Sequence, residues 1–427
     1  MPLLGCIADD FTGATDLATN LVSRGLRTIV VFGHQAATEE MRNADAVVVA
    51  LKTRTAPVEA ATSSSLKALD FLEELGAEKI YVKYCSTFDS TAEGNIGPVI
   101  DAVLGQLGED TTIVVPSFPA GGRTVRDGNL YVNGQLLHES SMRHHPLTPM
   151  LDASVERLLR PQSSNTVAHV PLDKVRQGAE ELARTIKAKR MKESDKAATL
   201  VVIDAVDESD LEIIAAASAD LKVITGGSGL ALGLTNGKDT LASADVRALP
   251  SADGFRAVLS GSASATTRAQ VAHGRAKLPS VKLDLSELRE RFEEATSQIA
   301  AWASGMWAED PIRPVLIYSV DSLEDIHPSD TGSDEQPASE VVEGALAEIA
   351  RKLVQLGARQ LIVAGGETSG QVVTTLQIPS LTIGPAIAAG VAWGAGTTAD
   401  GTGLLLALKS GNFAEEDMFT AGWEKLT

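Results

Sequence analysis

The chain has 427 residues, too many for one ordinary hydrophobic core, so two domains are expected. A formal net charge of -19 argues against nucleic acid or an anionic membrane surface as the main partner, while leaving room for a local basic pocket around a phosphorylated ligand. The two cysteines, Cys6 and Cys85, form no CxxC pair, which argues against a disulfide framework or a zinc ribbon and fits a reducing cytoplasm.

In chain order, the apolar run Leu3 to Ala8 reads as a strand. It ends in Asp9-Asp10-Phe11-Thr12-Gly13, and Ala14 to Leu21 then carries helical periodicity, with Thr12 expected as its cap. Short β-branched strands are expected over Thr28–Phe32, Ala46–Leu51, Ile80–Lys83 and Thr112–Val115, with helices over Val58–Leu75 and Asn95–Leu107 between them. Asn133-Gly134 inside Leu130–Leu137 signals a hairpin. Asp173–Lys192 reads as one charged amphipathic helix, and Leu200–Ile203 and Lys222–Thr225 as further strands. Ser, Ala, Asp, Pro and Gly cluster over Leu241–Gly254, which separates a domain at 1–245 from a second at 255–427. Beyond it come a strand at Ala257–Leu259, helices at Thr266–Arg275 and Leu285–Trp302, and strands at Val315–Ser319, Gln360–Ala364 and Leu381–Ile383. The acidic stretch Asp321–Pro337 reads as a surface loop. This alternation predicts an α/β protein of two Rossmann-like domains with mainly parallel sheets and a cleft between them. There is no basic stretch before an apolar core at the N-terminus and no run of ~18 apolar residues, so a cytoplasmic protein is expected, with a homo-oligomer allowed.

In such folds ligands bind beyond the carboxyl ends of strands. Asp9 and Asp10 lie at the first of these ends, Arg54 at another, and Arg123 at a fourth. Lys83, Tyr84, Cys85, Ser86, Thr87 and Asp89 crowd a third. Three cations beside three carboxylates and several hydroxyls suit a small sugar acid. An arginine fork holds a carboxylate through two parallel hydrogen bonds, and sugar hydroxyls need both donors and acceptors. Adjacent strand residues point to opposite faces, so one of Asp9 and Asp10 is expected to face the ligand and the other to hold the turn. Asp10 and Asp89 are the candidates for orienting or deprotonating an attacking hydroxyl. Taken singly, each feature also has a plain reading: a helix cap, a surface arginine, a solvated turn.

The second half holds small-residue turns at Ser260–Ser264, at Gly365-Gly366-Glu367-Thr368 and at Lys409–Phe413. Glycine there lets backbone N–H groups approach phosphates. Neither GxxxxGK[ST] nor GxGxxG is present, so a P-loop and a dinucleotide fingerprint are absent. His138, His144 and His145 lack zinc or triad spacing, and no metal ligand is assigned.

The segments Ile7–Ala14, Cys85–Thr91, Gly94–Val99, His145–Met150, Gly365–Gly370 and Lys409–Phe413 together resemble the four-carbon acid sugar kinases, in family order and across nearly the whole chain. The resemblance implies an N-terminal sugar-acid domain and a C-terminal nucleotide domain. It implies ATP-dependent phosphorylation of the terminal hydroxyl of a four-carbon acid, 3-oxo-tetronate or a relative such as threonate or erythronate, with Mg2+ bridging the phosphates. It places substrate at Asp10, Arg54 and Tyr84 to Thr87, and ATP at Ser262, Ser264, Gly365 to Thr368 and Gly411. Two departures stand out: an acidic residue of the family pattern is missing near Ala388, and Ala414 stands where a glycine is usual. The rival readings are a sugar-acid dehydrogenase or isomerase, and a non-catalytic sugar-acid-binding protein.

Overall fold

Runs of valine, isoleucine and alanine become strands buried along their whole length, the pattern of a parallel sheet covered on both faces. The computed structural model describes residues 3–33, 35–144, 148–192, 198–234, 248–325 and 336–426. The chain divides into two units, Met1–Val246 and Arg247–Thr427.

The first unit contains β1 (Leu3–Ala8), β2 (Thr28–Phe32), β3 (Ala46–Ala50), β4 (Ala77–Lys83) and β5 (Thr111–Val115). They are followed by β6 (Arg123–Arg126), β7 (Asn129–Val132), β8 (Gln135–Leu136), β9 (Thr166–Val170), β10 (Thr199–Ile203) and β11 (Val223–Gly226). Eight of these run in the order β2-β3-β1-β4-β11-β5-β10-β9, every pair parallel. The remaining three form a small antiparallel sheet. Asn133 and Gly134 make its hairpin, both at positive φ (49° and 81°), as a two-residue turn matched to strand twist requires. Ile80, Val82, Phe88, Ile100 and Val114 belong to the core of this unit.

The second unit contains β12 (Phe255–Ser260), β13 (Ser280–Lys282), β14 (Val315–Tyr318), β15 (Ala358–Ala364), β16 (Ser380–Ala388), β17 (Val391–Thr397) and β18 (Gly403–Lys409). Their order is β13-β14-β12-β15-β18-β17-β16. The pairs from β13 to β18 are parallel, and β17 is antiparallel to both its neighbours. Val258, Ile362, Trp393 and Phe419 belong to its core.

Several expectations change. The helix expected over Asp173–Lys192 is two, Leu172–Val175 and Ala179–Lys192, because Gly178 turns the chain at φ 102°. Leu285 starts a helix that runs to Glu309 rather than Trp302. Strands β13, β17 and β18 and the helix Ala338–Gln355 were not anticipated, while the helix expected after the Gly365 turn runs Gly366–Thr375. His145, much of the Leu241–Gly254 boundary and most of the Asp321–Pro337 loop lie outside the described residues. No helix among the described residues is long and apolar enough to cross a membrane.

Candidate active site

The strand order β3-β1-β4 brings the polar loops of the first unit together. Residue 9 lies between the ends of two neighbouring strands: its N–H donates to the Lys83 carbonyl (3.2 Å), and its carbonyl accepts from the N–H of Thr53 (3.0 Å) and Arg54 (3.3 Å). Strand β1 stops at Ala8, so the alternation of faces ends before the carboxylates. Asp9 and Asp10 therefore turn toward the same two cations, which corrects the expectation that they point apart. Asp9 takes the Arg54 fork, with Nε to Oδ2 at 2.7 Å and Nη2 to Oδ1 at 3.0 Å, and accepts from Lys83 Nζ at 3.1 Å. Asp10 Oδ1 lies 2.8 Å from Arg54 Nη2 and 3.3 Å from Lys83 Nζ.

Asp10, not Thr12, caps the helix α1 (Phe11–Ser23). Its carboxylate accepts from the Gly13 N–H at 2.9 Å, and the Thr12 hydroxyl donates to it at 3.1 Å. Burial pushes the Asp9 carboxyl up, but the charges and hydrogen bonds of Arg54 and Lys83 outweigh it and hold Asp9 well below the usual carboxylate range. Burial likewise pulls Lys83 down, yet Asp9 and Asp10 keep its amine above the ordinary lysine range. Two carboxylates and two cations thus form an internally neutral cluster.

Gly13 makes room for it. A Cβ there would stand 2.0 Å from Lys83 Nζ. Asn95 supports the Arg54 loop, donating to the carbonyls of Thr53 (2.6 Å) and Ala56 (2.8 Å) instead of capping the helix Ile96–Leu107.

The other expected residues divide. Tyr84 points into the core, 2% exposed, with its hydroxyl 3.3 Å from Thr225 Oγ1, so its side chain is structural. Cys85 Sγ lies 2.9 Å from Thr87 Oγ1, and burial together with Asp89 pushes the thiol up to about 11. Thr87 donates to Asp89 Oδ1 at 2.6 Å, and Asp89 is itself buried. Ser86 is half-buried beside them. Arg123 opens β6, donates to the Gly121 carbonyl, and leaves its buried Nε without a partner. A cavity bordered by Asp9, Arg54, Lys83, Asp89 and Asn95, with about 30 Å³ of room for the centres of water molecules, opens at the cluster. Sequence reasoning passed over Asp16, buried on α1 with Oδ1 unpartnered; burial foremost pushes its carboxyl up to about 6.

The second unit repeats the strategy on its own sheet. Neighbouring strands β12, β15 and β18 deliver their following turns to one place, through Gly261 N–H to Ala364 O (2.9 Å) and Gly365 N–H to Lys409 O (2.8 Å). Glycine is required at two of these positions. Gly365 sits at φ 125°, and a Cβ there would stand 2.8 Å from Thr368 Oγ1; a Cβ on Gly411 would stand 2.7 Å from Ser262 Oγ. The positive φ belongs to Gly365, while Gly366 and the exposed Glu367 open the helix Gly366–Thr375. Ser264 caps the helix Ala265–Arg275 through the Thr267 N–H (3.1 Å) and donates to the Gly411 carbonyl (2.6 Å). Lys409, the first residue of this turn, and Gln270, which the sequence did not single out, hold it. Lys409 donates into it, and Gln270 donates to the carbonyls of Phe413, Ala414 and Glu415 at 3.1, 3.0 and 2.9 Å. Ala414 occupies the left-handed region at φ 66°, and Ala388 ends β16 at its hairpin with β17.

Beside the Gly261 turn opens a cavity of about 790 Å³, lined among others by Ala263, Leu283, Leu285, Ser319 and Val342, within the size range of small-molecule sites. Among the described residues no group of three or more His, Cys, Asp or Glu is placed to hold a metal ion.

Residues 4–234 match the family described as Sugar-binding N-terminal domain, and residues 257–419 the family described as Nucleotide-binding C-terminal domain. The chain is 44% identical over 435 residues to a 3-oxo-tetronate kinase of Cupriavidus necator, covering 100% of this chain and 97% of the relative. It is 41% identical to a 3-oxo-tetronate kinase of Haemophilus influenzae, covering 98% of each. Among solved structures, a Salmonella typhimurium protein provisionally described as a tRNA synthase superimposes with a TM-score of 0.85 at 38% identity, covering 100% of both chains. A Haemophilus influenzae protein does so with a TM-score of 0.77 at 38% identity, covering 99% of this chain and 100% of that one.

Proposed function

Because the chain belongs to the four-carbon acid sugar kinase family, we propose that it transfers a phosphoryl group from ATP to the terminal hydroxyl of a four-carbon sugar acid, converting 3-oxo-tetronate to 3-oxo-tetronate 4-phosphate in the cytoplasm. The observation that carries this reading is the convergence of three serine- and glycine-lined turns at one edge of the second unit's sheet, the arrangement that receives a polyphosphate. The 790 Å³ cavity next to them has the volume for a nucleoside, with apolar residues such as Leu283, Leu285 and Val342 and charged ones such as Lys282, Asp284 and Arg289 in its walls.

In the first unit, Arg54 and Asp10 are each 25% exposed and form the outer face of the ion cluster. Arg54 already spends two donors on Asp9, so it would share its charge with a substrate carboxylate rather than offer a vacant fork. Asp10, on this outer face, would orient the attacking hydroxyl as a hydrogen-bond acceptor. Asp89 is more deeply placed and already holds Thr87. Phosphoryl transfer asks for positioning and charge neutralisation more than covalent chemistry, and a neutral, rigid ion cluster supplies the first.

Mg2+ is usually held by phosphates, water and one or two carboxylates rather than by a protein cage. Glu367, exposed beside the Gly365 turn, is the carboxylate that would meet it. When bound, the ion supplies charge neutralisation on the phosphates.

The test is ADP formation by the full chain with 3-oxo-tetronate, threonate, erythronate or no acid. ADP should appear with a four-carbon acid and vanish on chelation of divalent cations. Acid binding without ADP formation would favour a binding protein, and an NADH-dependent signal would favour a dehydrogenase.

A further inference from the structure

Lys409 is the last residue of β18, fully buried directly under the Gly411 turn. Its Nζ lies within hydrogen-bond distance of Thr267 Oγ1 (2.9 Å), Ser410 O (3.0 Å) and Gly411 O (2.9 Å), of which a neutral amine can donate to two and an ammonium to all three. All three acceptors are neutral. The charged groups on the elements around it are Arg268, His273 and Arg275 (itself paired with Asp321) on the helix Ala265–Arg275, Glu367 on the helix Gly366–Thr375, and Glu415, Glu416 and Asp417 in the following loop; the facing ends of β15 and β17 carry none. Among the described residues, none of these is hydrogen-bonded to or paired with Lys409. A buried cation without a counter-charge is costly, and the cost falls when an anion arrives nearby.

The Gly411 carbonyl also accepts from Ser264 Oγ (2.6 Å) and Thr267 Oγ1 (2.8 Å). Ser264, Thr267 and Lys409 thus converge on the carbonyl of the peptide that follows Gly411. Since C=O and N–H are opposed across a trans peptide, the Asn412 N–H points away from Lys409.

We propose that Lys409 is a positioning residue that couples nucleotide binding to proton uptake: its amine takes a proton from solvent as the polyphosphate settles on the three turns, and the resulting ammonium locks the Gly411 peptide. This rests on the reading of the second unit as the nucleotide site. The step is a simple protonation, Nζ gaining one proton with no other bond changed. Burial alone pulls the free Lys409 amine down to about 7, and phosphate charge raises it again. The group's proton affinity is higher in the bound state. Affinity is therefore fully present below the free value and declines as pH rises through the bound one, by up to ~10-fold per pH unit.

Calorimetry of MgADP binding to the full chain at pH 8, in two buffers of different ionisation enthalpy, reads the proton count directly, because the nucleotide's own phosphates are already ionised there. With burial holding the free amine near 7, net proton uptake is expected. Lys409→Met should abolish the uptake and weaken ADP binding at least 10-fold, leaving acid binding in the first unit unchanged. Should that variant fail to fold, the parent protein alone decides. Uptake with affinity falling between pH 7 and 9 supports the inference, and ADP binding without uptake overturns it. Equal uptake by parent and variant also overturns it. No ADP binding at all would instead overturn the nucleotide reading beneath it.

Discussion

The Gly13→Ala substitution reverses the sign of a familiar rule. Inside a helix this change normally stabilises by about 1 kcal/mol. Here the added methyl would stand 2.0 Å from both Asp10 Oδ1 and Lys83 Nζ, and 2.9 Å from Lys83 Cε. Ordinary contact requires the amine to retreat by more than 1 Å, which stretches its 3.1 Å and 3.3 Å bonds to Asp9 and Asp10 beyond ion-pair range. Lys83 is 4% exposed and Asp9 16%, so the broken pairs are not replaced by bulk water. Breaking a buried pair costs about 3–5 kcal/mol, and the helix gain offsets about 1, for a net loss of ~2–4 kcal/mol. Urea unfolding of the full chain should show that loss in the transition of the first unit. Steady-state kinetics should show KM for the acid raised with KM for ATP nearly unchanged. A variant that is stabilised by ~1 kcal/mol with normal acid KM would refute the claim that Lys83 holds this cluster together.

Further outcomes follow from single residues. Asp16, raised by burial to about 6, should make stability fall as pH rises from about 4 to about 6 and then level off, because the folded protein holds a proton that the unfolded chain releases. Asp16→Asn should remove that slope and be more stable than the parent at pH 7–8 by ~2–3 kcal/mol in pH-dependent urea titrations. Ala414→Gly should relieve left-handed strain at φ 66° and, after the added flexibility of the unfolded chain, raise Tm by roughly 2 °C in calorimetry. Arg54→Ala should raise KM for the acid by the equivalent of ~2–4 kcal/mol with KM for ATP unchanged, because it removes charge from the substrate face. An unaltered acid KM would remove Arg54 from the site.

The parallel core was legible because β2, β3, β5 and β10 are short, β-branched and buried at every residue. Strands β17 and β18 were not. Val391-Ala392-Trp393-Gly394-Ala395-Gly396-Thr397 is broken by glycines, and Leu404-Leu405-Leu406-Ala407-Leu408 suits a helix as well as a strand. Hairpin pairing and the parallel ladder with β15 decide both, and these are tertiary facts. The candidate site was legible as a set of residues at strand ends but not as a geometry. Period-two reasoning separates Asp9 from Asp10, whereas the strand ends one residue earlier and both meet Arg54 and Lys83. Gln270 acts on partners far away in sequence, and nothing local to an isolated Gln marks such a role; Asn95 and Lys409 lie in segments that carry the resemblance, but their bonds to Thr53 and Thr267 are tertiary facts.

The most direct test of the account is the phosphorus-31 spectrum of the products formed from ATP and 3-oxo-tetronate by the full chain with Mg2+. It should show ADP and one new phosphomonoester in equal amounts, with that phosphorus coupled to the two protons on the terminal carbon of the acid. ADP accompanied only by inorganic phosphate, or ATP left intact with every four-carbon acid, would contradict it.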